Sequence, residues 1–123
     1  MPAWTNDELD KIGGAEELHL ASVRRDGTLR NPVTMWVARH GDDLYVRSVN
    51  GRGSSWFRGA LARYEARIRA DGVEKDVNLV EIDDVKDEVD AAYHTNYGPR
   101  YPTITPSIVA PEARAATLKL VPS

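Results

Sequence analysis

Three glycine turns restrict the topologies open to this chain. Asp26-Gly27, Gly41-Asp42 and Asp71-Gly72 each join two apolar runs over a link far too short for a parallel crossover. Strands connected in this way are antiparallel neighbours. The runs are Glu17 to Arg24, Leu29 to Arg39, Asp43 to Val49, Tyr64 to Ala70, Val73 to Ile82 and Ala116 to Val121, which makes six strands. In the second run Val33, Met35 and Val37 alternate with Thr34, Trp36 and Ala38, so both faces are covered and a central strand is expected. In the fourth, Tyr64, Ala66, Ile68 and Ala70 form an inner face against Glu65, Arg67 and Arg69. The apolar phase shifts between Leu79 and Val80, which predicts a bulge or a bent strand.

Helices fall between these runs. Thr5 caps the first, Glu8 completes a capping box, Trp4 staples onto Leu9, and Gly13-Gly14 supplies a left-handed end. A second follows Ser54, with Phe57, Ala60, Leu61 and Tyr64 at helical spacing. A third follows Asp83-Asp84 and buries Val85, Val89, Ala92, Tyr93 and Tyr97 before Gly98-Pro99 stops it. Pro102, Pro106 and Pro111 make the next segment irregular apart from a helical turn at Pro111-Glu112-Ala113-Arg114. The expected fold is mainly β with flanking helices (α+β), a six-stranded antiparallel barrel in a single domain spanning residues 1–123. At 41% hydrophobic and 28% charged residues the chain has the composition of a globular domain, which excludes disorder.

Several chemistries are excluded. The chain has no cysteine, hence no disulfide or thiolate site, and His19, His40 and His94 lack metal-ligand spacing, so no metal is assigned. No G-x-S-x-G elbow is present, and Asp83, Asp84, Asp87, Glu88 and Asp90 read as a solvated helix start, so no catalytic residue is assigned. No apolar run reaches membrane-spanning length, and Met1-Pro2-Ala3-Trp4-Thr5-Asn6 lacks the regions of a signal peptide, so no membrane partner and a cytoplasmic location are expected. The net charge of −3 and the absence of a basic stripe or zinc-finger spacing argue against nucleic acid. That net value conceals a separation. Residues 24–69 hold ten arginines, no lysine and four acids, whereas residues 71–95 hold nine acids and two lysines. Arginine used to the exclusion of lysine points to planar capture of an anion.

The Asn50-Gly51-Arg52-Gly53-Ser54-Ser55 segment is the most informative motif, because a glycine loop entering a helix presents unpaired N–H groups where phosphate binds. It is neither a Walker loop nor a dinucleotide fingerprint. A plain turn in which Ser54 caps the helix is the structural alternative. Trp36 and Trp56 offer either core packing or a stacking surface for a flat ring, and Tyr97 and Tyr101 bracket a helix exit where a substrate wall can be built.

The run Asp26-Gly27-Thr28-Leu29-Arg30-Asn31-Pro32-Val33 through Trp36, with Asp43-Leu44-Tyr45-Val46, Asn50 to Ala60, Tyr97-Gly98, Tyr101-Pro102 and Thr117 to Pro122, resembles the domain-of-unknown-function family 2255. That family is similar to the flavin-binding split barrels, near the deazaflavin-dependent nitroreductases. The resemblance implies a six-stranded split barrel, a homodimer, and FMN or a deazaflavin at the subunit interface, acting by hydride transfer on a small-molecule substrate. By position it implies cofactor contacts from Arg30, Trp36, Ser48, Val49, Asn50, Gly51, Arg52, Gly53, Ser54, Ser55 and Trp56, with Tyr97 and Tyr101 toward the substrate. Arg58-Gly59 stands where that branch has histidine-asparagine, and no lysine lies between Lys11 and Lys75. The alternative is therefore a cofactor-free dimer of this fold that binds a small anion without redox chemistry.

Overall fold

The computed structural model describes residues 3–123. Helix α1 (Asn6–Gly13) begins with the expected capping box between Thr5 and Glu8. Trp4 and Leu9 both join the barrel core, and the Trp4 indole N–H donates to the Leu120 carbonyl at 3.0 Å. The end of α1 differs from expectation, since Gly14 is right-handed (φ −93°). Glycine serves close approach there: a Cβ on Gly13 would stand 3.2 Å from the Cβ of Arg39.

Strands β1 (Leu18–Ser22), β2 (Val33–Met35), β3 (Val37–His40), β4 (Asp43–Arg47), β5 (Glu65–Ala70), β6 (Val73–Glu81) and β7 (Thr117–Pro122) form one antiparallel sheet in the order β2-β1-β5-β6-β7-β4-β3. The two ends of that order are consecutive in the chain. β2 pairs with β1 (Leu18 opposite Met35, Leu20 opposite Val33), and β3 pairs with β4 (Val37 opposite Val46, His40 opposite Asp43). The six runs read from the sequence are thus seven strands because the second one changes partner at Trp36, nearly closing a barrel. The central strand expected at Leu29 to Arg39 is instead the pair of edges, each half bonded on one side. The hairpins are as anticipated, and at one of the two-residue turns Asp71 and Gly72 both take positive φ (46° and 80°), as type I′ demands.

Inside the barrel Leu18, Leu20, Val37, Leu44, Val46, Ile68, Val77, Leu79, Leu118 and Leu120 pack with Phe57 of α2 (Ser55–Ala60). A second cluster lies outside, where Ala38 and Tyr45 meet Val89, Tyr93 and Tyr97 of α3 (Lys86–Tyr97) and Ile108 of α4 (Thr105–Ile108). The helical turn expected at residues 111–114 is α5 (Pro111–Arg114). Helix α3 follows Asp83-Asp84 as expected, with Asp87 and Glu88 in its first turn; it begins after Val85, which is left-handed (φ 48°), with no side-chain cap. Tyr64 also leaves its expected inner face, being left-handed (φ 57°) and exposed. No bulge interrupts β6: its register runs unbroken from Val73 opposite Ala70 to Glu81 opposite Leu118. Val80 simply faces out, 43% exposed, while Leu79 faces in. Among the described residues no helix is long and apolar enough to cross a membrane.

These faces have measurable consequences. Ile68→Ala should cost about 2–5 kcal/mol in urea unfolding, as a buried large-to-small change does. Val80→Thr should stay within about 0.5 kcal/mol. A cost at Val80 comparable to that at Ile68 would show that β6 is bent after all.

Candidate functional site

After β4 the chain tightens into a turn that leads to α2. The Ser48 N–H donates to the Ala116 carbonyl (3.1 Å), and the Gly51 N–H donates back to the Ser48 carbonyl (3.0 Å). Gly51 is left-handed (φ 80°), a conformation strained for any residue with a Cβ, so the turn favours glycine. The Ser48 and Ser54 hydroxyls lie 2.6 Å apart and clip the turn shut. Ser54 is consequently not the side-chain cap that the plain-turn reading gives it. The N–H groups of Ser55, Trp56 and Phe57 find no protein acceptor among the described residues. A Cβ at Gly53 would meet nothing within 4 Å, so the turn is open on that side.

Beside this turn a cavity of about 350 Å³ occupies the split in the barrel. Val33, Met35 and Trp36 line it from β2 and the break before β3, Arg47, Ser48, Val49 and Asn50 from the exit of β4, and Trp56 from α2. Ile104, Ser107 and Ile108 contribute from α4 and the residue before it, and Glu17 and Thr34 are exposed members. Five sequence-proposed residues, Trp36, Ser48, Val49, Asn50 and Trp56, thus share one cavity, and Gly51, Gly53, Ser54 and Ser55 form the adjoining turn.

Other proposed residues stand elsewhere. Arg52 is engaged by the protein: its Nη1 donates to Glu81 Oε1 (2.6 Å) and to the Ala115 carbonyl (3.1 Å), and its guanidinium lies 5.3 Å from the Phe57 ring centroid. Arg30 packs over α2, so close that a Cβ on Gly59 would come within 2.8 Å of its Nε, and it does not line the cavity. Tyr97 is buried and stacks on Trp36, with ring centroids 4.2 Å apart and planes within 2°. The Val37 N–H donates to its hydroxyl at 3.2 Å, and burial pushes that hydroxyl's pKa up. Tyr101 lies against the same indole at 5.2 Å and donates to Glu16, whose carboxylate raises its pKa ahead of desolvation. Both tyrosines reach the cavity only through Trp36.

The sequence reading missed Arg47. It is 1% exposed, with Nε donating to Thr117 Oγ1 (3.0 Å), Nη1 to Asp90 and to the Ile108 carbonyl (3.1 Å), and Nη2 to the Lys86 carbonyl (2.9 Å). Asp90 also accepts from Arg114, which in turn reaches Asp87 at 2.9 Å. On the outer face of β4 Arg47 follows Tyr45, and alternation alone assigns that face to solvent; only α3, some forty positions on, covers it. The acidic run gave no separate signal for Asp90. Among the described residues no histidine lines the cavity and no cluster of metal ligands occurs. The walls hold hydroxyls, one buried cation and flat apolar surface, which can bind and orient but offer no nucleophile with its base.

A family model described as "Uncharacterized protein conserved in bacteria (DUF2255)" matches residues 8–120. No curated protein matches the chain. Solved structures share its fold. An F420 reductase aligns with a TM-score of 0.55 and 23% identity, covering 94% of this chain and 92% of its own. An FAD-binding protein from Mesorhizobium loti aligns at 0.59 with 16% identity (98% and 91%). HutZ, the heme storage protein from Vibrio cholerae, aligns at 0.64 with 16% identity (100% and 92%).

The Arg52–Glu81 contact ties the turn to the barrel and responds to acid. Hydrogen bonding from Arg52 holds the Glu81 carboxyl below its ordinary value of 4.5, so the folded chain binds that proton less readily than the unfolded chain. The stabilisation is present above the ordinary value and fades as pH falls through it toward the lowered one. Glu81→Gln should therefore make the urea midpoint fall less steeply on acidification below about pH 4.5. An identical acid slope in the variant would remove this role.

Proposed function

This chain belongs to the DUF2255 family, and we propose that it is a flavin- or deazaflavin-dependent oxidoreductase acting by hydride exchange with a small organic substrate. The observation that carries this reading is the cavity at the split, where Trp36, Ser48, Val49, Asn50 and Trp56 meet beside a turn with unmatched N–H groups. Its volume, about 350 Å³, lies at the low end for small-ligand sites, enough for a flat ring system with a tail left outside. The donor set suits that tail: three backbone N–H groups and an open position at Gly53 favour phosphate over a neutral group. F420 reductase and the FAD-binding protein of M. loti have this fold, which supports the same class of ligand here.

When bound, such a ring supplies the hydride chemistry that no side chain in the cavity offers. The protein's part is placement. The Ser48–Ser54 clip holds the turn so that the N–H groups of Ser55, Trp56 and Phe57 grip an anion. Tyr97 stacked on Trp36 keeps that indole in one orientation, and Trp56 walls off water from another element. Val49 and Ile104, 46% and 55% exposed, leave an apolar margin that a second copy of the chain would cover in a homodimer.

A cofactor-free dimer that binds a small anion at the same turn is the second reading, and Arg52, committed to Glu81, serves the anion in neither. Titration with FMN, FAD and F420, followed by quenching of ligand and tryptophan fluorescence, separates the two. We expect binding of at least one, weakened up to about tenfold by Trp56→Ala through loss of an aromatic contact. Protein that ignores all three would overturn the flavin reading in favour of the anion-binding one.

A further inference from the structure

We infer that Trp36, Tyr101 and Glu16 form a relay that carries an oxidising equivalent from the cavity wall to the protein surface, Tyr101 giving an electron to Trp36 and its phenolic proton to Glu16. The use assigned to it, clearing one-electron oxidation from the cavity, rests on the flavin reading above; the relay itself does not. Trp36 lines the cavity, and two tyrosines pack on its indole: Tyr97 with ring centroids 4.2 Å apart and Tyr101 at 5.2 Å. Electron exchange between aromatic rings falls steeply with separation, so rings in contact exchange fastest.

What separates the two tyrosines is where a proton can go. A phenol that loses an electron becomes a strong acid, and its oxidation is easy only where a base takes that proton at hydrogen-bond distance. The Tyr97 hydroxyl is buried, and its acceptors are the carbonyls of Ala15 and Val37, which do not take up a proton. Tyr93, whose ring lies 6.1 Å from that of Tyr97, has only the Trp36 carbonyl. Tyr101 is partly exposed and donates to the Glu16 carboxylate. Its backbone fixes it there, the N–H donating to the Tyr97 carbonyl at 2.7 Å and the carbonyl accepting from the Thr105 hydroxyl at 2.7 Å. Arg100, 4.0 Å from Glu16, and Glu17 are the other charged groups that act on the phenol. Tyr64 also donates to a carboxylate, Glu81, but among the described residues no ring contact joins it to Trp36 or Trp56.

A one-electron oxidant in the cavity, a flavin-class ring one electron short or an oxygen-derived radical, takes one electron from Trp36 and is reduced by it. The oxidised indole takes one electron from Tyr101 and is restored. The phenolic O–H bond of Tyr101 breaks as that electron leaves, and the proton passes to Glu16, leaving a neutral tyrosyl radical beside a neutral carboxylic acid. A small thiol or ascorbate in solution returns a hydrogen atom to the phenoxyl oxygen, and Glu16 releases its proton to water. Oxidation of the cavity wall is thereby moved to a residue that solvent reductants reach.

The full-length chain carrying Trp56→Phe keeps Trp36 as its one partly exposed indole, because Trp4 is buried. Pulse radiolysis in azide solution oxidises that indole by one electron, and absorbance follows the tryptophan radical into the tyrosyl radical. The conversion should be first order and independent of protein concentration. Tyr101→Phe, which keeps the ring on Trp36, and Glu16→Gln, which keeps a hydrogen-bond acceptor, should each slow it about tenfold. Tyr64→Phe should leave it unchanged. Heavy water should slow it in the parent, since the proton moves with the electron; stacking alone produces no such effect. Conversion that Tyr101→Phe leaves unchanged, or that Tyr64→Phe removes, overturns the relay. Slowing by Tyr101→Phe without slowing by Glu16→Gln overturns the proton transfer on which it depends. No cofactor enters this measurement. Protein that shows the relay but ignores FMN, FAD and F420 keeps the relay and overturns the flavin reading, whereas protein that binds one of them without the relay keeps the flavin reading and overturns this inference.

Discussion

Closure of the sheet depends on one strand that serves two partners. Residues 33–35 bond to β1 and residues 37–40 to β4, and the change falls at Trp36. The two edges of the sheet, β2 and β3, are thus halves of one run that meet at the split instead of standing apart as exposed edges do. The cost of the change is a break in the hydrogen-bond ladder, and the break is where the cavity opens. Trp36 is pinned there from behind by Tyr97, whose hydroxyl takes the Val37 N–H on the resumed strand. The feature that closes the barrel therefore also makes its binding site.

Much of this architecture is legible in the sequence because turn chemistry is local. Asp71-Gly72 reads as a hairpin since few other residue pairs tolerate two positive φ values in succession, and both are found. The capping box at Thr5 and Glu8 is equally local and equally present. Val80 is the counter-example: an apolar residue reads the same whether it faces the core or water, so a regular strand resembles a bulged one. The partner change at Trp36 was hidden for a different reason. Coverage of both faces suggests a central strand, but here the outer cover comes from α3, whose arrival over Ala38 and Tyr45 is a long-range event.

The same divide runs through the site. The glycine turn and the tryptophans were recognisable because their residue types limit what they can do, and five of the proposed residues do converge. The arginines were not separable by type. Arg39 pairs with Asp10, Arg52 with Glu81, Arg67 with Asp76, and Arg47 enters the interior to meet Asp90. Three of these four acceptors come from the acidic region after residue 70, so folding sets three of the ten arginines of residues 24–69 against that region. An excess of arginine in a segment thus reports what the segment will meet in its own fold as much as what it will bind.

Arg47 and Arg52 illustrate how burial decides between those uses. Arg52 is half-exposed, and its pairing with Glu81 takes place in water's presence, where it fastens a turn at modest energy. Arg47 has no contact with water, and its only carboxylate is divided with Arg114. A cation held this dry is costly unless its donors are met inside the fold, and Thr117, Ile108 and Lys86 accept three of them beside Asp90. The cavity's walls are otherwise flat and apolar, with backbone N–H groups at the neighbouring turn. The polar end of the site is then the turn, and its middle is hydrophobic, the pattern that a planar molecule with a charged tail would satisfy.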